Sequence, residues 1–456
     1  MVKLLKRLIV MMLTLSVSCG IALAKVSQEE ADKLGNALTP VGATRAGNAE
    51  GTIPEWTGGY TTLPPGFSKE TRKIIDPFKD DKILFTITAE NYEQYKDKLS
   101  EGQIAMFKAY PETFKMNIYP TRRSASFPEY VYKAAKKNAV NGEINLEDYS
   151  TKGWTTAIPF PIPQNGVECL LNHIFAFVSP SGCYRSVTKQ AIMGRGGDFT
   201  LTKLSDVINR PFNVEGAPLG EVQTLFRQET LAPPRQAGQI LVLNEYIDML
   251  NKPRQAWIYN PGQRRVRRAP TVAYDGPGTA SDGLRTSDDY TMFNGAPDRY
   301  NVKLLGKAEK YVPYNCYTMK DPDQNHEDIL KPFHINPDYV RFELHRVWII
   351  EMDLKEGMRH IYKKRRFYQD EDSWVLLLGE AYDERDQLWR VSMFYTYQHY
   401  EIPSFTMAGV TAWFDLLARR YLAFGLVTGE EDNFTFDQIY DPSEFTPSSL
   451  RRAGIR

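Results

Sequence analysis

Two stretches, RFELHRVWIIEMDL (341–354) and QLWRVSMFYTYQ (387–398), decide the fold. In the second, Trp389, Val391, Met393, Tyr395 and Tyr397 fall on one side of an extended chain, with Arg390, Ser392, Thr396 and Gln398 mostly opposite. Alternation with a period of two is the pattern of a strand with one apolar face. RHIYKKRRFYQ (359–369) and WVLLLGEAYD (374–383) lie between the two. The spacing predicts tight hairpins, one turning at Glu356-Gly357 and one at the charged loop Glu384-Arg385-Asp386. Runs joined in this way make an antiparallel meander whose apolar face needs a cover.

Outward from this core, residues 254–269 predict a further hairpin with Pro261-Gly262 as the central pair of a type II turn. That register sets Trp257 opposite Val266, Tyr259 opposite Arg264, Ile258 opposite Arg265 and Ala256 opposite Arg267. Trp257, Tyr259, Arg264, Val266 and Arg268 then share one face, and Ile258, Arg265 and Arg267 the other. A turn at Gly357 sets Trp348 opposite Arg365 and Arg346 opposite Phe367. An arginine beside a large aromatic thus recurs on two hairpins. Guanidinium stacks on rings and forks onto carboxylates and phosphates. The candidate ligand-binding residues are therefore Trp257, Tyr259, Arg264, Val266, Arg268, Trp348, Arg365, Trp389 and Tyr395. Three readings stay open for the arginines. Asp275, Asp282, Asp288, Asp289 and Asp298 neutralise them; or they rim an apolar concavity that takes an anionic head; or they dock a protein partner.

The rest of the chain sorts by composition. Aromatics are 12% of its 456 residues, and its 28 Pro and 31 Gly suit a β-rich, loop-rich protein. Residues 1–24 read as an export signal: Lys3, Lys6 and Arg7, the apolar run Leu8–Val17, then Ala22-Leu23-Ala24. Cys19 raises a lipid-anchored alternative, but Ser16 stands where an aliphatic residue is usual. Residues 25–150 predict an arm and a helical region, with Ser27 and Glu30 as a capping box and helices over 89–142. Residues 151–456 predict the antiparallel sheet, with strands dominant from about 165.

Removing 1–24 takes three of the 56 basic residues and none of the 56 acidic ones, leaving a net charge of about −3. That argues against non-specific nucleic-acid binding. Cys169 and Cys183 flank Leu170–Val178 and could pair in an oxidising compartment; the odd count with Cys316 leaves either one cysteine free or all three reduced.

Enzyme motifs are missing. There is no G-x-S-x-G elbow, no phosphate loop ending in Gly-Lys-Ser/Thr and no Cys-x-x-Cys. His326-Glu327 lacks a second histidine at helical spacing, and Met193–Phe199 (MGRGGDF) reads as a turn. Asp370-Glu371-Asp372 reads as a hairpin turn rather than a calcium loop. His345 and His360 sit on adjacent predicted strands, where structural hydrogen bonding is the expectation over a metal pair. No catalytic residue, cofactor or metal is predicted.

The segments GNAEGTIPEWTGG, NPGQRRVRRAP, YDGPGTASDGLRTSDD, FNGAPDRY and RHIYKKRRFYQDEDSW resemble a large family of exported bacterial proteins, domain of unknown function 1329. DPFKDDKILFTITAENYEQYKDKL, YPTRRSASFP and PFPIPQNGVECLLNH resemble it too, so the likeness spans nearly the whole mature chain. The family is described as similar to outer-membrane lipoprotein-sorting proteins. The resemblance implies a β-rich α+β fold, an incomplete antiparallel barrel with helices packed on its concave side. It implies a periplasmic setting, and association with export pumps of the resistance–nodulation–division class or with outer-membrane proteins. It offers no catalytic residues. The family carries an aromatic near Leu171, so Asn172-His173 is not carried over as a shared site. The expected function is a periplasmic carrier or chaperone for a lipid-like molecule. The alternatives are a module that docks to an envelope transporter and, less favoured, a hydrolase of envelope glycan or lipid.

Overall fold

The computed structural model describes residues 26–71, 73–405, 409–430 and 434–453, so the predicted signal and Cys19 lie outside the described residues. Most of the described β structure belongs to one sixteen-stranded sheet. Its long strands are β1 (Cys183–Met193), β2 (Phe199–Asn209), β3 (Val222–Ala232), β4 (Ile240–Tyr246), β5 (Gln255–Asn260) and β6 (Arg265–Arg268). They continue with β7 (Tyr300–Pro313), β8 (Phe342–Leu354), β9 (Lys364–Asp370), β10 (Leu376–Tyr382), β11 (Leu388–Tyr395), β12 (Val410–Asp415) and β13 (Arg420–Leu426). Short strands Phe85–Ile87, Met116–Ile118 and Phe434–Thr435 complete the sheet.

Across the sheet the order is β7 to β13 and then β1 to β6, antiparallel throughout. Each strand thus pairs with its neighbour in sequence, and the β13–β1 pairing, Tyr421 against Met193, joins the two halves. β6 and β7 do not pair, so this β-rich α+β fold is an incomplete antiparallel barrel. A consequence follows for residues 269–299. They connect one edge strand to the strand at the far side of the sheet, so they have to cross it.

The crossing segment lies against one face, here called the inner face. Thr279 and Ala280 accept hydrogen bonds from Gln190 on β1, the Arg285 guanidinium lies 5.7 Å from the Trp413 ring of β12, and Tyr290 lies 5.6 Å from Phe226 of β3. Helix α4 (Gly166–Ile174) shares that face. Its region falls where strands are expected from about residue 165. Asn165 instead caps a helix by accepting from the Glu168 N–H, and all of its residues are buried. Its Cys169 carbonyl accepts from Gln369, and His173 bridges the Leu376 N–H to the Thr291 carbonyl.

Among the described residues the N-terminal region holds a 3-10 helix over Tyr92–Lys98, where a longer helix is expected, a short strand at Met116–Ile118, and three α-helices. α1 (Gln28–Ala31) is capped by Ser27, α2 is Glu101–Ala109 and α3 is Glu129–Asn141. α2 packs on the outer face, because Gly102 sits against Val391 and Glu380, which alternate with the inner-facing Ser392 and Gly379. A Cβ on Gly102 would meet Val391 at 3.0 Å, so any larger residue would push the Val391 and Glu380 side chains aside. Both faces of β11 are therefore covered, and every residue from Arg390 to Tyr395 is buried.

Two hairpin registers differ from the predicted ones. In the β5–β6 hairpin, Arg268 faces Trp257 and Val266 faces Tyr259. The loop is residues 261–264: Arg264 takes a φ of 49°, its N–H donates to the Pro261 carbonyl, and the Asn260 side chain accepts from the Gln263 N–H. A type II turn at Gly262 is thereby replaced by left-handed backbone at Arg264. The slip is by two residues, so the predicted faces survive. In the β8–β9 hairpin, Arg365 faces Met352, Trp348 faces Gln369 and Phe367 faces Ile350. The turn is not tight. Residues 360–362 are drawn toward the crossing segment, where His360 binds Asp288 and Tyr362 binds Asp289.

Candidate amphiphile cavity

Between the inner face of β1–β4 and the crossing segment lies a cavity of about 50 Å³. Strand alternation builds its apolar wall. Tyr184, Ile208, Phe226 and Leu243 are register partners across β1 to β4, with Leu241 beside them and Val178 at the end of α4's exit loop. Its polar groups come from Arg210, Glu245, Arg254, Arg285 and Asn294.

Arg210 and Arg285 carry the unusual chemistry. Both are buried, and burial pushes both guanidinium pKa values down. Arg210 Nη1 donates to the Ala176 carbonyl at 2.9 Å, and Arg285 Nη1 to the Thr286 carbonyl at 3.3 Å. Neither forms an ion pair with a described residue, and the Nε atom of each has no hydrogen-bond partner. The Arg285 group lies over Tyr290 and Trp413 at 5.7 Å each. Nearby Asp206, hydrogen-bonded by Gln228 at 3.0 Å, is pushed up to about 7 by burial, so it compensates only in part near neutral pH. A buried cation without a partner is costly.

Arg254 is paired, to Glu245 at 2.5 Å, and Asn294 also donates to that carboxylate. Glu245 and Arg254 line a second hollow as well, of about 390 Å³. Tyr246, Met249, Pro253, Pro270, Tyr274 and Ala296 surround it. The ion pair therefore stands as a partition between the small basic cavity and the larger hollow.

Of the residues picked from sequence, Arg268 lines the larger hollow. Trp257, Tyr259 and Val266 share Arg268's face of the hairpin but pack with Phe445 and Leu450 at helix α5 (Pro447–Ala453). Arg264, Arg265, Arg267 and Arg268 are exposed, and none pairs with a described carboxylate. The aspartates expected to neutralise them are engaged elsewhere: Asp275 with Arg299, Asp282 with Arg420, Asp298 with Tyr274, and Asp288 and Asp289 with Arg365. Arg365 is buried in that network, against Phe293, Tyr362 and Phe367. Trp348 stacks with Trp374 beneath Lys307, Trp389 donates to Asp415, and Tyr395 is buried beside Met393. His345 and His360 belong to separate carboxylate networks, the first with Glu343 and the second with Asp288. Cys169, Cys183 and Cys316 are all free thiols.

Residues 86–451 match the family model described as protein of unknown function DUF1329. The chain belongs to this family. An uncharacterized protein of Pseudomonas aeruginosa is 45% identical over 449 residues, spanning 97% of each chain. Among solved structures, this DUF1329 chain is similar to a domain provisionally described as an outer membrane lipoprotein-sorting protein, from Vibrio parahaemolyticus. That match has a TM-score of 0.42 at 12% identity and covers 60% of this chain and 92% of the other. A DUF1329 family protein from Desulfovibrio piger gives a TM-score of 0.41 at 15% identity, over 59% and 91% of the two chains.

Proposed function

We propose that this DUF1329 protein is an exported, periplasmic carrier of an amphipathic anion, a lipid-like body with a carboxylate or phosphate head. The observation that supports this reading is the pair of buried, unpaired guanidinium groups, Arg210 and Arg285, on an apolar wall. A guanidinium fork matches a carboxylate or phosphate edge. The small cavity suits a head group. The larger hollow lies in the ~300–1,000 Å³ range typical of small-molecule sites and suits the body. Apolar surface leaving water supplies about 25 cal/mol per Å². A ligand passing between the two spaces has to displace the Arg254–Glu245 pair.

The test is purification without detergent, solvent extraction and mass spectrometry, followed by uptake of a fluorescent fatty acid. Co-purified amphipathic anions are expected, with uptake about tenfold weaker in Arg285→Gln, the value of one charged hydrogen bond. A chain that always emerges empty and takes up no fatty acid overturns the reading.

A second reading rests on the exposed arginines of the unpaired edge strand β6. They are free to meet an acidic surface of an envelope transporter or outer-membrane protein during transfer, since arginine is enriched at binding hot spots. Reversing Arg264 and Arg267 to glutamate should weaken such docking and leave the cargo content unchanged.

A further inference from the structure

We propose that His345, Asp370 and Asp372 form a buried site for one divalent transition-metal ion, with zinc the ion its donor set fits. His345 lies on β8, Asp370 ends β9, and Asp372 follows in the turn to β10. Each offers one ligand atom, and these atoms lie within 4.8 Å of one another. All three side chains are buried.

The histidine is arranged as a ligand. Its Nε2 meets the Glu343 carboxylate at 3.1 Å, so the proton of the neutral ring belongs there and Nδ1 keeps its lone pair. A carboxylate behind the distal nitrogen is the usual support of a metal-bound histidine. Glu343 is itself fixed, by Arg341 at 2.5 Å and Asn315 at 2.9 Å. The Tyr314 ring stacks on the imidazole at 3.7 Å, which sets its plane.

The second observation is Asp370. Its Oδ2 accepts from Ser373 at 2.6 Å and from Tyr314 at 3.1 Å. Its Oδ1 is buried with no hydrogen-bond partner and lies 4.0 Å from His345 Nδ1. That gap is too long for a hydrogen bond. It suits two donors sharing one ion, because bonds of about 2.0–2.2 Å from each place them about 3–4 Å apart. Asp372 completes the set. Arg123 forks onto it at 2.7 and 2.9 Å, which orients the carboxylate and offsets one of the two negative charges. One nitrogen and two carboxylate oxygens favour zinc or a similar ion over calcium or magnesium, which take oxygen alone. The bound ion would tie β8 to the β9–β10 turn and, through Arg123, to the N-terminal arm.

The test is elemental analysis of the full mature chain, desalted after growth in zinc-supplemented medium and again after unfolding in chelator and refolding with equimolar zinc. Stoichiometric zinc is expected in the wild type, and little in the near-isosteric Asp370→Asn. Glu343→Gln, which leaves all three ligands in place and changes the support of the histidine along with the pairing to Arg341, should weaken zinc affinity about 10- to 100-fold. Calcium in place of zinc should raise the unfolding midpoint of neither. Wild type that retains no more zinc than Asp370→Asn in both preparations, with a midpoint indifferent to zinc, overturns the site and leaves Asp370 Oδ1 to hold a proton.

Discussion

Arg365 reaches from β9 across the inner face to Asp288, with Nη1 donating to Oδ2 at 3.0 Å, and its other amino group meets Asp289. Burial alone would raise the Asp288 carboxyl, but Arg365 and His360 hold it well below the usual carboxylate range. The stabilisation is thus present at neutral pH and is lost only in strong acid. The bond anchors the crossing segment beside the cavity, whose lining includes Ser287 and Tyr290 on either side of the two aspartates. Arg365→Met leaves two buried carboxylates without their cation and should cost about 3–5 kcal/mol in denaturant unfolding. Adding Asp288→Asn should recover part of that loss. Additive losses in the double variant would argue that the pair is not coupled.

Arg285 should behave in the opposite way. It is buried and unpaired, so Arg285→Gln relieves a desolvation cost and should stabilise the empty chain by about 1–3 kcal/mol. The same change should weaken fatty-acid uptake. Unfolding and uptake measured on one preparation check the pair of signs. A variant that loses stability would mean that the guanidinium is structural.

How far the sequence disclosed this arrangement differs by level. Alternation in 387–398 and the turn residues between 341 and 398 were enough for the meander, because a one-sided pattern has few other solutions. Register was harder. In the β5–β6 hairpin Arg264, not Gly262, takes the left-handed backbone, which no propensity favours. In the β8–β9 hairpin His360 and Tyr362 are held by aspartates some 70 residues upstream in the chain, a distant constraint invisible to local pattern. The cavity is not legible in local pattern, because the clustered arginines 264–268 lie exposed at the edge of the sheet. Arg210 and Arg285 are isolated in sequence and meet only when the crossing segment folds over β1–β4. The alternating apolar residues Tyr184, Ile208, Phe226 and Leu243 were the available signal.

Asp206 makes anion capture pH-dependent. Its carboxyl, raised by burial to about 7, exceeds its unfolded value of about 4, so the folded chain holds a proton in that window. The stability it contributes is full below about pH 4 and is lost as pH rises through about 7. Wild type measured against Asp206→Asn should therefore lose relative stability over that range. Uptake of an anionic probe should also fall above about pH 7 in wild type, as the new charge offsets Arg285, and stay flat in the variant. Parallel pH profiles for the two proteins would exclude this role.

The free thiols give a simple check. Burial raises Cys169, Cys183 and Cys316, so all three should react slowly in the native chain and fast once unfolded. A reductant should leave the unfolding midpoint unchanged; a shift would reveal a disulfide in the isolated protein.

His173 pins the crossing segment from beneath. Nε2–H donates to the Thr291 carbonyl at 2.7 Å, and Nδ1 accepts from the Leu376 N–H at 3.2 Å, so the neutral ring satisfies both partners. Burial lowers its pKa to about 3, below the unfolded value of about 6.5. The unfolded chain then binds the extra proton between those values, and the contribution is full above about pH 6.5 and lost as pH falls toward about 3. A second effect is local. Breaking either bond exposes a buried partner and costs about 1–3 kcal/mol. His173→Gln keeps a polar side chain but cannot span both partners. It should speed amide exchange over 277–294, flatten the acid limb of the stability profile and hasten release of a bound fatty acid. Exchange unchanged in that segment, with release as slow as in wild type, would mean that the cover over the cavity is held by its other contacts and that His173 serves only helix α4.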